Sequence, residues 1–166
     1  HKKRSSDFER VMNQTGDPHI ILDYPDIRKD WVTNGQYAYE MDLYSTCKNA
    51  MQEDIEILLN YKKWDEVITH NPDGEYGHIH HKKVSKYVTM ILEKEDKTNQ
   101  LVYFGTYTSK KNKAKLENEK RLSKKDYKEK LDIIQLYSSQ SKVMDHLHHM
   151  LPYENWKPYS KWGKIE

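Results

Sequence analysis

The fold of this chain is decided by the stretch EVITHNPDGEYGHIHHKKVSKYV, residues 66–88. Its first five residues, EVITH, are a short apolar run between polar turns, which predicts a strand of a parallel sheet. The loop NPDGEYG (71–77) follows, and the apolar residues of 78–93 then recur at helical spacing. We therefore predict a strand, a tight loop and a helix, with the loop at the carboxyl end of the strand.

Further elements are predicted on both sides of this stretch. Helices are expected at 5–14 with Gly16 as a stop, at 46–62, at 124–139 after a Ser123 cap and at 141–150, and strands at 19–24 (HIILDY) and 101–107 (LVYFGTY). This alternation predicts an α/β protein. We expect a single domain over residues 1–166, with a three-layer, Rossmann-like and mostly parallel sheet, helices on both faces, and HIILDY parallel to and beside EVITH. Because the pattern begins with a helix, the first βα unit of such a sheet is expected to be missing.

The composition excludes several classes of protein. With 13 Tyr and 4 Trp among 166 residues, the chain has the aromatic content of a folded domain rather than a disordered one. Cys47 is the single cysteine, so an internal disulfide and a multi-cysteine zinc site are excluded. A single cysteine suits a reducing compartment, and no apolar run approaches the roughly 18 residues of a membrane span. We expect a cytoplasmic protein without a membrane span.

The charge distribution favours no particular partner, because the net charge is only +2. Residues 110–130 hold ten basic and four acidic side chains. We interpret this run as a solvated face, since nucleic-acid binders usually carry a basic footprint over the whole domain. No nucleic-acid partner is therefore expected, and the composition leaves the oligomeric state open.

Four of the nine histidines lie in the central stretch, namely His70, His78, His80 and His81. His78 and His81 are three residues apart, so on a helix they share one face and can address one substrate or metal. They follow the carboxyl end of a strand, where open α/β sheets bind their ligands, and Gly74 and Gly77 let the backbone approach a ligand closely. His80 points about 100° away from His81 on the same helix. The alternative is that these histidines only cap the helix or bond to nearby carbonyl groups.

The segment THNPDGEYGHIHH (69–81) resembles the G-x-x-G-H-x-x-H signature of the PIG-L/LmbE-like de-N-acetylases. These are zinc-dependent enzymes that remove acetyl groups from N-acetylglucosamine-type sugars. Three further segments are similar to family segments in the same order: RSSDF (4–8) to an R-x-x-E segment, ILDYPD (21–26) to a strand with a substrate-side Asp, and KLDIIQLYSSQ (130–140) to a helix ending in Y-x-S-Q. The family's H-P-D-D-E stretch does not occur in the 166 residues, and we expect it to lie N-terminal to His1.

The resemblance implies a role for individual residues. A zinc ion would be held by His81 together with a His and an Asp of the H-P-D-D-E stretch. His78 would stabilise the oxyanion and protonate the leaving amine, Tyr76 would bond to the same oxyanion, and Arg4 and Asp26 would contact the N-acetylated amino-sugar substrate. The chain is then the C-terminal portion of a zinc-dependent hydrolase, expected to bind zinc weakly and to be inactive on its own. The competing hypothesis is a non-catalytic sugar-binding or structural module.

Overall fold

The computed structural model describes the backbone of residues 2–22, 24, 32–33, 36–37 and 41–162, and the side chains of 3–22, 24 and 47–162. The chain divides into two compact units. Unit 1 consists of His1–Leu22 with Thr108–Asn155, and unit 2 of Asp23–Tyr107 with Trp156–Glu166. The expectation of a single domain over residues 1–166 stays a prediction.

The described residues contain both helices and strands, so the chain is an α/β protein, as predicted. The α-helices are α1 (Lys2–Thr15), α2 (Met41–Asn60), α3 (Gly74–Gly77), α4 (Ile79–Lys94), α5 (Lys124–Ile134), α6 (Ser141–Leu147) and α7 (Tyr159–Trp162). The β-strands are β1 (Val32–Thr33), β2 (Gln36–Tyr37), β3 (Val67–Thr69), β4 (Leu101–Phe104), β5 (Lys120–Arg121), β6 (Tyr153–Glu154) and β7 (Trp156–Pro158). Short 3₁₀ helices occupy Thr98–Gln100, Lys110–Asn118 and Ser138–Gln140. None of the helices that the structure describes is long and apolar enough to cross a membrane.

Unit 2 is built on a sheet in the order β3-β4-β7. β3 and β4 are parallel, with Val67 opposite Leu101 and Thr69 opposite Tyr103, which confirms EVITH as a parallel strand. β7 joins the other side of β4 in the antiparallel sense. In the part of the chain that the structure describes, this sheet has three strands of mixed direction, so the three-layer Rossmann-like arrangement is not confirmed.

The prediction of a strand at HIILDY (19–24) is wrong for the residues of this segment that the structure describes. Residues 19–22 and 24 belong to no regular element, and Ile20 and Ile21 are 61% and 45% exposed. The neighbour of β3 in the sheet is β4 instead. The physical reason is that a short apolar run forms a strand only where a partner and a covering layer bury it. For EVITH, β4 is the partner and α4 supplies the covering layer.

The core of unit 2 lies where α2 and α4 pack with the sheet. Leu92 and Leu101 are almost completely buried, at 1% and 0% exposure, and each such side chain contributes roughly 1.5–3 kcal/mol of burial. The predicted inward stripe of α4 is confirmed, with Val88 and Ile91 buried and Val84 packed against them. The full core cluster is Ile55, Leu59, Tyr87, Val88, Ile91, Leu92, Leu101 and Tyr103. This packing fixes the start of α4 beside the end of β3.

Unit 1 contains the predicted first helix and its glycine stop. Gly16 has φ +75° and donates its N–H to the carbonyl of Met12 at 2.8 Å, which ends α1. The predicted Ser123 cap is also confirmed, since its hydroxyl accepts from the N–H of Asp126 at 3.1 Å. α5 ends at Ile134 rather than near residue 139, because residues 138–140 form a separate 3₁₀ turn whose first residues bond to Asp7.

Candidate metal centre

Asn71 is fully buried and holds the loop after β3 in place. Its side-chain amide donates to the carbonyl oxygens of Phe104 at 2.9 Å and Gly105 at 3.2 Å, at the carboxyl end of β4. Its Oδ1 accepts from the N–H of Glu75 at 3.1 Å, and its own N–H donates to the Glu75 carboxylate at 3.0 Å. These four bonds fasten the loop to the end of the neighbouring strand and fix both ends of Glu75.

The backbone of the loop makes a tight turn at Gly74 and Glu75. Gly74 has φ +67°, and a Cβ placed there would lie 2.9 Å from Cγ of Lys82, so the position requires glycine. Glu75 has φ +55°, a left-handed conformation that is unfavourable for a residue with a Cβ and often marks a functional site. The N–H of Tyr107 donates to the Glu75 carbonyl at 3.1 Å and helps to hold it there.

The result of this turn is that the Glu75 carboxylate lies between two imidazoles. Nδ1 of His70 is 3.1 Å from Oε2 of Glu75, and Nδ1 of His81 hydrogen-bonds to the same oxygen. The His70 and His81 rings stack at a centroid distance of 3.8 Å and an angle of 11°. Ligand-type atoms of the three residues all lie within 4.8 Å of one another. The three side chains are 31%, 15% and 25% exposed for His70, Glu75 and His81, so the group is sheltered but reachable.

The electrostatics of the group keep Glu75 ionised. Burial acts to raise the pKa of its carboxyl, but hydrogen bonds from His70, His81 and the Asn71 N–H, with the charge of His70, outweigh burial and lower the pKa to about 2. Glu75 is therefore a charged acceptor throughout the physiological range. A carboxylate of such low pKa accepts a proton poorly, which makes Glu75 unsuitable as a general base.

The residues predicted as catalytic lie next to this group. His78 is the N-cap residue of α4, and its ring centroid is 4.4 Å from that of His81. Tyr76 is 64% exposed. Its ring makes edge-on contacts with the rings of His78 and His81, at centroid distances of 5.8 Å and 5.6 Å. The His80 ring contacts His78 edge-on at 5.7 Å. The structure thus brings Tyr76, His78 and His81 together at the carboxyl end of β3.

The two residues predicted to contact substrate are placed differently. Arg4 is exposed on α1 in unit 1, and Asp26 lies outside the described residues. Three residues of the centre were not assigned a role by the sequence argument: His70, the carboxylate Glu75 and Asn71, which holds the loop. A partial signal existed for Glu75, because it is an acidic residue between Gly74 and Gly77 in the loop after a strand, where open α/β sheets bind ligands, but this signal does not give its position relative to the histidines.

The donor set decides which metal the centre fits. Two imidazoles and one carboxylate are ligands of hydrolytic zinc sites, which use three protein ligands and keep a position for water. His81, the predicted zinc ligand, is a member of the group, so the residues present fit a zinc ion. Within the described ranges, the structure brings one group of three or more potential metal-ligating side chains together, and it consists of His70, Glu75 and His81.

Comparison with known protein families, curated proteins and solved structures finds no match to this chain. The resemblance to the de-N-acetylases therefore depends on the motif residues alone.

Proposed function

We propose that this chain carries part of the active site of a zinc-dependent amide hydrolase that removes the N-acetyl group from an N-acetylglucosamine-type sugar or glycoconjugate. The observation that carries the proposal is the convergence of His81, His78 and Tyr76, within 6 Å of one another by ring centroids. A metal ligand, a proton donor and a hydroxyl at this spacing are what acyl transfer from nitrogen to water requires.

The reaction adds water to the acetyl carbonyl carbon and breaks the carbon–nitrogen bond, giving acetate and a free amine. Zinc, when bound, supplies Lewis-acid polarisation of the water and the carbonyl oxygen. The Tyr76 hydroxyl donates to the oxygen that becomes negative in the tetrahedral intermediate. His78 stabilises the same charge and then gives its proton to the amine nitrogen as the bond to carbon breaks.

Glu75 and the residues proposed to contact the substrate have different roles. Glu75 is not the proton acceptor for water, because its low pKa and its bonds to two histidines hold it as a carboxylate. In the family, an Asp of the H-P-D-D-E stretch takes that proton, and this stretch is absent from the 166 residues. Arg4 and Asp26 remain proposed contacts for sugar hydroxyls or a linked phosphate.

A second candidate is a non-catalytic sugar-binding or structural module. The observation that favours it is that the Glu75 carboxylate already has three donors, from His70, His81 and Asn71, so the group is satisfied as a structural network. Exposed Tyr76 would then offer an aromatic face to a sugar ring. Hydrolysis separates the two candidates, because a binding module releases no acetate.

The test is acetate release from N-acetylated amino sugars by the complete product of the gene, with zinc content measured in parallel. His78→Gln should retain zinc and lose roughly 100-fold or more in turnover, the scale of losing a positioned proton donor. It should also remove the basic limb of the pH–rate curve. His80→Gln is the matched control, a neighbouring histidine outside the proposed machinery. The proposal fails if no acetate is released, or if His78→Gln and His81→Ala both leave the rate unchanged.

A further inference from the structure

We infer that His70, Glu75 and His81 form a self-contained, three-ligand zinc site within unit 2. The family pattern gives this chain one metal ligand, His81, and predicts weak binding. The structure places two more donors beside it, the Glu75 carboxylate and the His70 imidazole. With three protein ligands the chain needs no other segment to bind the ion.

The chemistry of the donors selects the class of metal. Imidazole nitrogen binds zinc and its transition-metal neighbours well, whereas magnesium and calcium prefer sites made of oxygen alone. Two imidazoles and one carboxylate also bind iron(II) in some oxygenases, but the order of stability for divalent ions places zinc above iron at such a site. Glu75 supplies one negative charge against the charge of the ion, which an all-histidine site would lack.

The fold sets the backbone positions of the three ligands, and the stacked imidazoles of His70 and His81 must turn so that a ring nitrogen of each faces one ion. His70 directly follows β3, His81 lies in the first turn of α4, and Glu75 is fixed between them by Asn71. The backbone of Glu75, with its positive φ, is energetically unfavourable for a residue with a Cβ. That cost is expected where a side chain must be presented at one place, and here the place is between two imidazoles. The partial exposure of all three side chains gives the ion a path from solvent.

The inference goes beyond the proposed hydrolase, because it concerns metal binding and would hold for a binding module as well. The two proposals fail separately. Bound zinc without acetate release would remove the hydrolase and leave the site. Acetate release together with zinc binding that is independent of His70 and Glu75 would remove the site and leave the hydrolase.

The experiment measures zinc affinity of the 166-residue chain by competition with a chelating indicator, and zinc retained after dialysis. We expect one zinc per chain. Removing an outer-shell partner of a metal costs about 10–100-fold in affinity, so removing a direct ligand should cost more than about 100-fold. His70→Ala, Glu75→Gln and His81→Ala should each show this loss. Cobalt(II) should give visible absorption bands in the unmodified chain that weaken in each variant, and magnesium should not compete.

The controls separate a lost ligand from a damaged fold. Glu75→Gln keeps the size of the side chain and an oxygen that can accept from the Asn71 N–H, so its helical circular dichroism should match the unmodified chain. His80→Ala and His146→Ala remove histidines outside the group and should keep zinc affinity within about threefold. The inference is overturned if the chain retains no zinc, or if Glu75→Gln or His70→Ala binds zinc as tightly as the unmodified chain.

Discussion

Asp7 in unit 1 and Glu75 in unit 2 are both sheltered carboxylates, yet the groups around them differ in kind. Asp7 is 3% exposed and accepts from the Ser138 hydroxyl at 3.2 Å and the Ser139 N–H at 2.8 Å. Arg10 approaches it at 3.4 Å. None of these partners binds metals in its usual state, so Asp7 serves to join α1 to the turn at 138–140.

A buried charge must have partners, and this holds for Glu75 as it does for Asp7. The partners of Glu75, however, are chemically different. Two of its three donors are imidazoles, which are among the commonest ligands of zinc. A satisfied carboxylate therefore indicates a structural joint or a metal centre according to the chemistry of its neighbours.

The largest expected effect follows removal of the Asn71 side chain, which holds Glu75 in place. Asn71→Ala removes a fully buried side chain and leaves the carbonyl oxygens of Phe104 and Gly105 and the Glu75 N–H without this partner. It should lower the free energy of unfolding by about 3 kcal/mol. Zinc affinity should fall with it. Urea denaturation and the indicator assay measure both quantities.

The matched control is Asn60→Ala. Asn60 is exposed, and among the described residues its side chain bonds to Glu95 at 2.8 Å and Lys97 at 3.4 Å. Its loss should cost less than about 0.5 kcal/mol. Equal losses for the two asparagines would mean that the Asn71 network does not support the centre.

A smaller effect is expected at Gly74. An alanine there adds strain from the positive φ, about 1–2 kcal/mol, and its Cβ lies 2.9 Å from Lys82 Cγ and 3.4 Å from His81 Cβ. We expect lower stability and a zinc affinity reduced by roughly tenfold, since the 2.9 Å contact forces Lys82, the neighbour of His81 at the start of α4, to shift. Gly16→Ala is the control, because Gly16 has a similar φ of +75° with nothing within 4 Å of its Cβ position. It should lose stability by the φ strain alone and keep zinc affinity; a Gly74→Ala chain that binds zinc normally would contradict the geometry.

The elements around the centre could be predicted where local pattern and tertiary contacts agree. EVITH and the helix after it were predicted correctly, because α4 buries the apolar stripe that its spacing displays. HIILDY has a comparable apolar content but no strand in residues 19–22. Apolar content alone does not say which run will find a partner strand, and this information lies in contacts distant along the chain.

The candidate site, like the fold, could be predicted only in part from the sequence. His78 and His81 could be assigned to one face from their spacing. Glu75 could not be placed, because its position depends on a left-handed φ and on Asn71, which bonds to residues 33 and 34 positions further along the chain. A loop conformation of this kind follows from tertiary hydrogen bonds rather than from local preference.

The smallest effect, and the one that tests the structural role of the first carboxylate, is the pH dependence at Asp7. Hydrogen bonds from Ser139 lower its pKa most, burial acts in the opposite direction, and Ser138 and Arg10 add to the lowering. A carboxyl with a lower pKa in the folded state than in the unfolded state stabilises the fold fully above its unfolded value, near 3.8. That contribution is lost as the pH falls through the folded-state pKa.

The measurement compares urea unfolding of the unmodified chain and Asp7→Asn between pH 7 and pH 3. Asparagine keeps the shape of the side chain but cannot carry the charge that Ser138, Ser139 and Arg10 stabilise. The variant should therefore be less stable at pH 7, and the difference should shrink at the acid end, where the aspartate becomes protonated. Zinc affinity at pH 7 should not change, because Asp7 lies outside the group of His70, Glu75 and His81. Asp17→Asn, at an exposed position just after α1, is the control and should show neither effect. A stability difference that stays constant from pH 7 to pH 3 would show that Asp7 joins α1 to its turn by shape and hydrogen bonding rather than by charge, and the contrast with Glu75 would then be one of geometry alone.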